Sequence, residues 1–175
     1  MYKNKSVYKP FCQKLFNQYD EPARNFVKTI YNDLGIIARD NIDKYGIDLV
    51  LFKDGVKIGY AEVETCAGWT GPLYPFKTVH VPIRKAKFFN LDMPSQFWVI
   101  SNTFSRGLHI DGEKILASPI IIVPNKYVLS NERFFDVELK IMSLISKGLQ
   151  ISMDERNLTF LDSKFVISSS VIANC

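Results

Sequence analysis

The chain has little of what most recognisable chemistries need. Among 175 residues there are three cysteines and two histidines. Cys12, Cys66 and Cys175 are odd in number and far apart, which fits free thiols in a reducing compartment better than a disulfide framework. No Cys/His spacing suggests zinc. No Walker-type phosphate loop, no G-x-G-x-x-G fingerprint and no G-x-S-x-G elbow occurs. No apolar run approaches the roughly 18 residues of a membrane helix. The N-terminal MYKNKSVYKPF is basic but has no apolar stretch behind it, so no signal peptide is expected. The expected location is therefore cytoplasmic, and a phage, bacterial or viral origin fits equally.

What is present is a globular composition, 47% hydrophobic and 23% charged, with a net charge of +4. A nucleic-acid partner is permitted by that charge and not required by it. The length suits one domain over residues 1–175, with a core over about 20–125 and an unassigned C-terminal part.

YDEPARNFVKTIYNDLG reads as a helix, with Asp20 as cap, Glu21 and Pro22 in the first turn, and Gly35 after the end. Phe26, Ile30 and Leu34 form its apolar stripe. A shorter helix is expected around 10–18. GIDLVLF and VKIGYAEVET read as two strands joined at Asp54-Gly55, a strong hairpin signal. Val56, Ile58, Tyr60, Glu62 and Glu64 then share one strand face, and Lys57, Ala61 and Val63 the other. CAGWTGPLYPF reads as a loop and PIRKAKFFN as a helix. SQFWVISN and SPIIIVP read as strands. DVELKIMSLISKG fits a helix or a strand running into a helix. Asp111-Gly112 suggests a second hairpin turn. The expected class is α/β, a mixed central sheet flanked by helices.

The hairpin carries three acids where a greasy pair is expected. Glu62 and Glu64, two apart on a strand, project from one face within about 7 Å. Pairing back from Asp54-Gly55 brings Asp48 opposite Ala61 or Glu62. Two buried like charges need a positive partner, either Lys/Arg or a metal. Converging carboxylates, with the Val63 carbonyl nearby, are the oxygen donors that Mg²⁺ or Mn²⁺ prefers.

The order helix, IDLVLF, turn, GYAEVE, loop, helix, strand resembles the PD-(D/E)XK nuclease superfamily over roughly residues 20–105. Asp48 matches the first acid and Glu62 the second. Glu64 stands where a lysine is usual, an E-x-E variant with precedent among restriction endonucleases. The resemblance implies a restriction-endonuclease-like core and Mg²⁺-dependent hydrolysis of DNA phosphodiesters. Asp48, Glu62, the Val63 carbonyl and, from the first helix, Glu21 would be metal ligands. Glu64 would accept the proton of the attacking water or hold a second ion. Lys85 or Lys87 would stand in for the missing strand lysine.

Lys77, Arg84, Lys85 and Lys87 follow the acids closely and could contact phosphates. Trp69 could stack on bases or plug the core edge. His80 and His109 have no visible partner. Paired cuts in duplex DNA would favour a homodimer. The competing classes are a nucleic-acid-binding domain of the same fold without catalysis, and a protein-interaction α/β domain with solvated acids. RNA remains open as substrate.

Overall fold

A computed structural model describes residues 13–43, 45–125, 130–146 and 149–151. The strand-like LTFL and KFVISSSVI, and Cys12 and Cys175, lie outside the described residues.

Helix α1 (Gln13–Leu15) runs through a π turn (Phe16–Asp20) directly into α2 (Glu21–Asp33). Pro22 falls in the first turn of α2, where its missing N–H costs nothing. Asp20 does not cap the helix. Its backbone is itself helical (φ −76°, ψ −45°) and its side chain makes no cap bond, because the π turn leaves no break for a cap. The buried stripe is Ala23, Phe26, Val27, Ile30 and Tyr31. Leu34, expected in it, is 46% exposed beyond the last turn. Gly35 then takes φ +72°, the left-handed exit that glycine allows most cheaply.

A strand not foreseen, β1 (Ile37–Asp40), pairs antiparallel with β2 (Leu49–Lys53). The β2–β3 hairpin therefore lies inside the sheet. Asp54 (φ 50°) and Gly55 (φ 78°) make the tight turn into β3 (Val56–Cys66). The register shifts after Leu51, which pairs Gly59 while Phe52 pairs Lys57. Ile58 is the extra residue, and it packs with Ala61 and Val63 rather than with the glutamates, a change of facing that a bulge produces.

After β3 come β4 (Thr78–Pro82), a 3₁₀ turn (Ile83–Lys85) and the single turn α3 (Ala86–Phe89) in place of the longer helix expected from Pro82. Then follow β5 (Ser95–Ser101), β6 (Arg106–Asp111), α4 (Gly112–Leu116), β7 (Ile120–Asn125) and β8 (Ser130–Glu138). A 3₁₀ turn (Leu139–Ile141) leads into β9 (Ser143–Ser146) and β10 (Leu149–Ile151). The DVELKIMSLISKG stretch is thus strand, turn and strand, not helix, and Gly112 opens α4 rather than a hairpin.

Seven strands form a mixed sheet in the order β1-β2-β3-β5-β6-β9-β10, with β3 and β5 parallel and the other pairs antiparallel. A second sheet has the order β4-β8-β7. The α2 stripe packs on one face of the large sheet, against Leu49, Leu51, Ala61, Trp98 and Ile100. On the other face Phe97, Val99, Leu108 and Ile110 meet Val79, Val81, Phe135 and Val137 of the small sheet. The fold is mixed α/β, but one face of its main sheet is covered chiefly by strands. SPIIIVP is a strand as expected, and among the described residues β7 pairs with β8 alone, leaving Ile120 48% and Ile122 61% exposed.

Candidate functional site

Register builds the site. Leu49 pairs Ala61 and ends the β2–β3 ladder, so β3 continues past β2 from Glu62 onward. There the Val63 N–H donates to Asp48 Oδ2 at 2.9 Å instead of to a strand neighbour. A residue's N–H and C=O leave a strand on the same side, so the Val63 carbonyl also faces the Asp48 side. Glu62 and Glu64 project from the face that carries Phe97 and Val99, their register partners on β5.

The positive partner these carboxylates require is Lys85. The 3₁₀ turn after β4 brings its Nζ to 3.0 Å from Glu62 Oε1 and 2.8 Å from Glu64 Oε2. The ammonium also lies 5.3 Å from the centre of the Phe97 ring, in cation–π range. Burial opposes its charge, and Glu64 and then Glu62 outweigh that, so its pKa stands above the ordinary lysine value. Glu62 goes the other way. Burial pushes its carboxyl up to about 7, and the Asp48 charge adds to the rise against the pull of Lys85. The Oε2 of Glu62 is buried and has no hydrogen-bond partner.

Asp48 has a cation of its own: Arg24 of α2 places Nη2 3.3 Å from Asp48 Oδ1 and Nη1 3.6 Å from Asp40. Lys28 closes on Asp40 at 2.6 Å. The helix acid whose charge reaches this cluster is Asp20, which senses Arg24, Asp48, Lys85 and Glu64. Glu21, the ligand expected from α2, is exposed. Asp20 is exposed as well, and it reaches the cluster through its charge rather than by burial against the sheet.

The structure thus brings Asp48, Glu62, Val63, Glu64 and Lys85 together. Lys77, Arg84 and Lys87 are exposed; Lys87 lies 4.7 Å from the Phe88 ring centre. Trp69 is fully buried and packs edge-on against Tyr74 at 5.3 Å. It is the plug and is not accessible to a base. His80 pairs across the small sheet with Asp136 at 3.3 Å. Arg24 and Asp20 were not read as site residues. Their signal was available, since oppositely charged residues four apart at the start of a helix commonly serve something at that helix end.

Among the described residues no three His, Cys, Asp or Glu side chains are gathered as a metal-holding group. The donors nevertheless fit a hard divalent ion. Mg²⁺ is commonly held by one or two carboxylates together with water and substrate oxygens. A buried carboxylate oxygen without a donor, Glu62 Oε2 beside Asp48, is an acceptor such an ion satisfies.

A cavity of about 570 Å³ lies elsewhere, lined by Lys114, Asp136, Glu138, Lys140 and Met142 among others. Its charges are already matched, Lys140 to Glu138 at 2.6 Å and Lys114 to Asp111 at 3.5 Å. No helix among the described residues is long and apolar enough to cross a membrane. No family model, no curated protein and no solved structure matches the chain.

Proposed function

We propose that this chain is a divalent-metal-dependent nuclease that hydrolyses DNA phosphodiesters, with the restriction-endonuclease-like arrangement its hairpin resembles. One observation carries the reading. A buried lysine is clamped between Glu62 and Glu64, beside Asp48, while one oxygen of Glu62 is left without a partner. Among the described residues other buried polar atoms are unmet too, Asp136 Oδ1 among them, but only Glu62 Oε2 lies beside a second carboxylate and a buried ammonium.

Asp48, Glu62 and the Val63 carbonyl would hold Mg²⁺ or Mn²⁺. The chemistry such an ion supplies is polarisation of a phosphoryl oxygen and a lowered pKa for an attacking water. Lys85 contributes a fixed positive charge toward the phosphate undergoing attack, where charge on the non-bridging oxygens needs compensation. Glu64 keeps Lys85 protonated and aimed, the part a strand lysine would otherwise need no help with. Arg24 and the Val63 N–H hold one oxygen each of Asp48. The exposed Lys77, Arg84 and Lys87 would meet neighbouring phosphates without reading bases.

The test is cleavage of supercoiled plasmid, single-stranded and branched DNA in Mg²⁺ and in Mn²⁺, by the wild type and by Glu62→Ala and Asp48→Asn. Metal-dependent cleavage lost in both variants is the expected result. Salt-sensitive DNA binding without cleavage by the wild type would instead establish a binding domain, a reading favoured by the cations already seated on Asp48 and Glu64.

A further inference from the structure

We infer that this centre accepts a single divalent ion, because Lys85 and Arg24 permanently occupy the positive positions a second ion would need. The inference rests on the nuclease reading and settles a choice that reading leaves open, whether Glu64 holds metal.

Glu64 is the acid beyond the proposed Asp48–Glu62 ligand pair that could share a second ion with Glu62. The point between them is filled. The Lys85 ammonium touches both carboxylates, at 3.0 and 2.8 Å, and its side chain is only 10% exposed. Displacing it would break both ion pairs and its contact with the Phe97 ring. A second ion shared with Glu64 would also stand beside that ammonium, and two positive centres at contact distance repel strongly.

Arg24 acts in the same way on the other flank. It neutralises the Asp48 oxygen that does not accept the Val63 N–H. The acids in mutual electrostatic reach are Asp20, Asp48, Glu62 and Glu64, and the facing cations are Arg24 and Lys85. What is left over is about the charge of one divalent ion. The place for it is marked by Glu62 Oε2, on a side chain 8% exposed, which accepts no hydrogen bond of good geometry although the Asp48 backbone N–H lies near enough to favour its charge.

Mn²⁺ is the probe. Titration of the full chain, followed by calorimetry and by electron paramagnetic resonance of free and bound Mn²⁺, is expected to saturate at one ion per chain without spin–spin coupling. Glu62→Gln should abolish binding, whereas Glu64→Gln should leave the count at one. Arg24→Gln should tighten the single site by roughly tenfold, the effect of removing one nearby positive charge. Lys85→Met should admit a second, spin-coupled ion. Two coupled ions on the wild type, or loss of binding in Glu64→Gln, would overturn the single-ion inference while leaving metal-dependent hydrolysis standing. No Mn²⁺ bound to the wild type at millimolar concentration would overturn both.

Discussion

Strand β5 shows two solutions to one problem on its two faces. On one, Phe97 lies against Lys85, whose charge is shared between Glu62 and Glu64. On the other, Gln96 and Trp98 join Tyr31 and His109 in a network of uncharged groups that ends on the Asp111 carboxylate, to which Gln96 Nε2 donates at 3.5 Å. The Trp98 indole N–H donates to the Tyr31 hydroxyl at 3.1 Å, and that hydroxyl donates to Gln96 Oε1 at 2.8 Å. His109 Nε2 meets the same Gln96 oxygen at 2.7 Å, and its ring lies 4.7 Å from Trp98. Burial pushes the His109 pKa down to about 4, so the ring is neutral, whereas on the first face Lys85 stays charged and Glu62, pushed up to about 7, exchanges its proton near neutral pH. A buried polar group that only has to hold a helix onto a sheet is cheapest when neutral and hydrogen-bonded. Each face leaves one buried polar atom unmet, Glu62 Oε2 and His109 Nδ1, but a carboxylate that ionises there is the costlier, and the nuclease reading gives that cost a purpose. Activity is then expected to depend on the Glu62 face and stability on the Tyr31 face.

The largest expected effect breaks or confirms that division directly. Glu62→Ala or Asp48→Asn should lower metal-dependent cleavage by on the order of 10³-fold or more, since each removes a proposed ligand. Tyr31→Phe should leave cleavage unchanged, and equal losses on both faces in a plasmid assay would erase the distinction.

Next is Lys85→Met, which fills similar volume without the ammonium. Cleavage should fall by roughly 10²–10³-fold, the usual loss when one preorganised charge partner of a transition state is removed. The folded state should survive, because Glu62 can take up a proton once its counter-ion is gone. Circular dichroism melts alongside the assay separate the two outcomes.

A smaller effect concerns pH. The Glu62 pKa is raised from 4.5 to about 7, so the folded chain binds a proton that the unfolded chain has released. Its contribution to stability is present at low pH and is lost as pH rises from about 4.5 to about 7. His109 is lowered from 6.5 to about 4, so its contribution is present above about 6.5 and is lost as pH falls toward about 4. The slopes oppose each other. In urea unfolding between about pH 4.5 and 6.5, Glu62→Gln should make stability rise with pH, and His109→Gln should make it fall. Parallel slopes in the two variants would refute the assignment of charge states to the two faces.

The smallest effect is Tyr31→Phe itself. It removes one donor and one acceptor from a buried network and should cost about 1 kcal/mol in denaturant unfolding. The Gln96 oxygen retains His109, which limits the loss.

Much of the candidate site was legible because its signals are local. Asp54-Gly55 sets the turn and strand period two puts Glu64 on the face of Glu62, but the turn alone would pair Asp48 with Ala61, and only the bulge at Ile58 moves it opposite Glu62. Lys85 could be named as a substitute for the strand lysine because few basic residues follow the acids closely. The register slip at Ile58 was not legible: a bulge needs a reason to form, and that reason is distant in sequence. A Cβ on Gly59 would lie 2.6 Å from the Pro94 carbonyl, which accepts the Tyr60 N–H at 2.9 Å. The edge position of β7, the strand identity of residues 143–146 and the small sheet were hidden for the same reason, since apolar spacing does not say which partner a strand will find.

By itself the sequence determined the helix from Glu21, the hairpin, and the demand of three neighbouring acids for positive charge, because propensity, turn chemistry and Coulomb repulsion act over a few residues. Only the tertiary structure decided which cation answers each acid. Lys85 arrives on the 3₁₀ turn from β4, twenty-one residues beyond Glu64, and Arg24 comes from a helix on the other side of the sheet. Contacts between elements are set by packing, and packing depends on the whole chain at once.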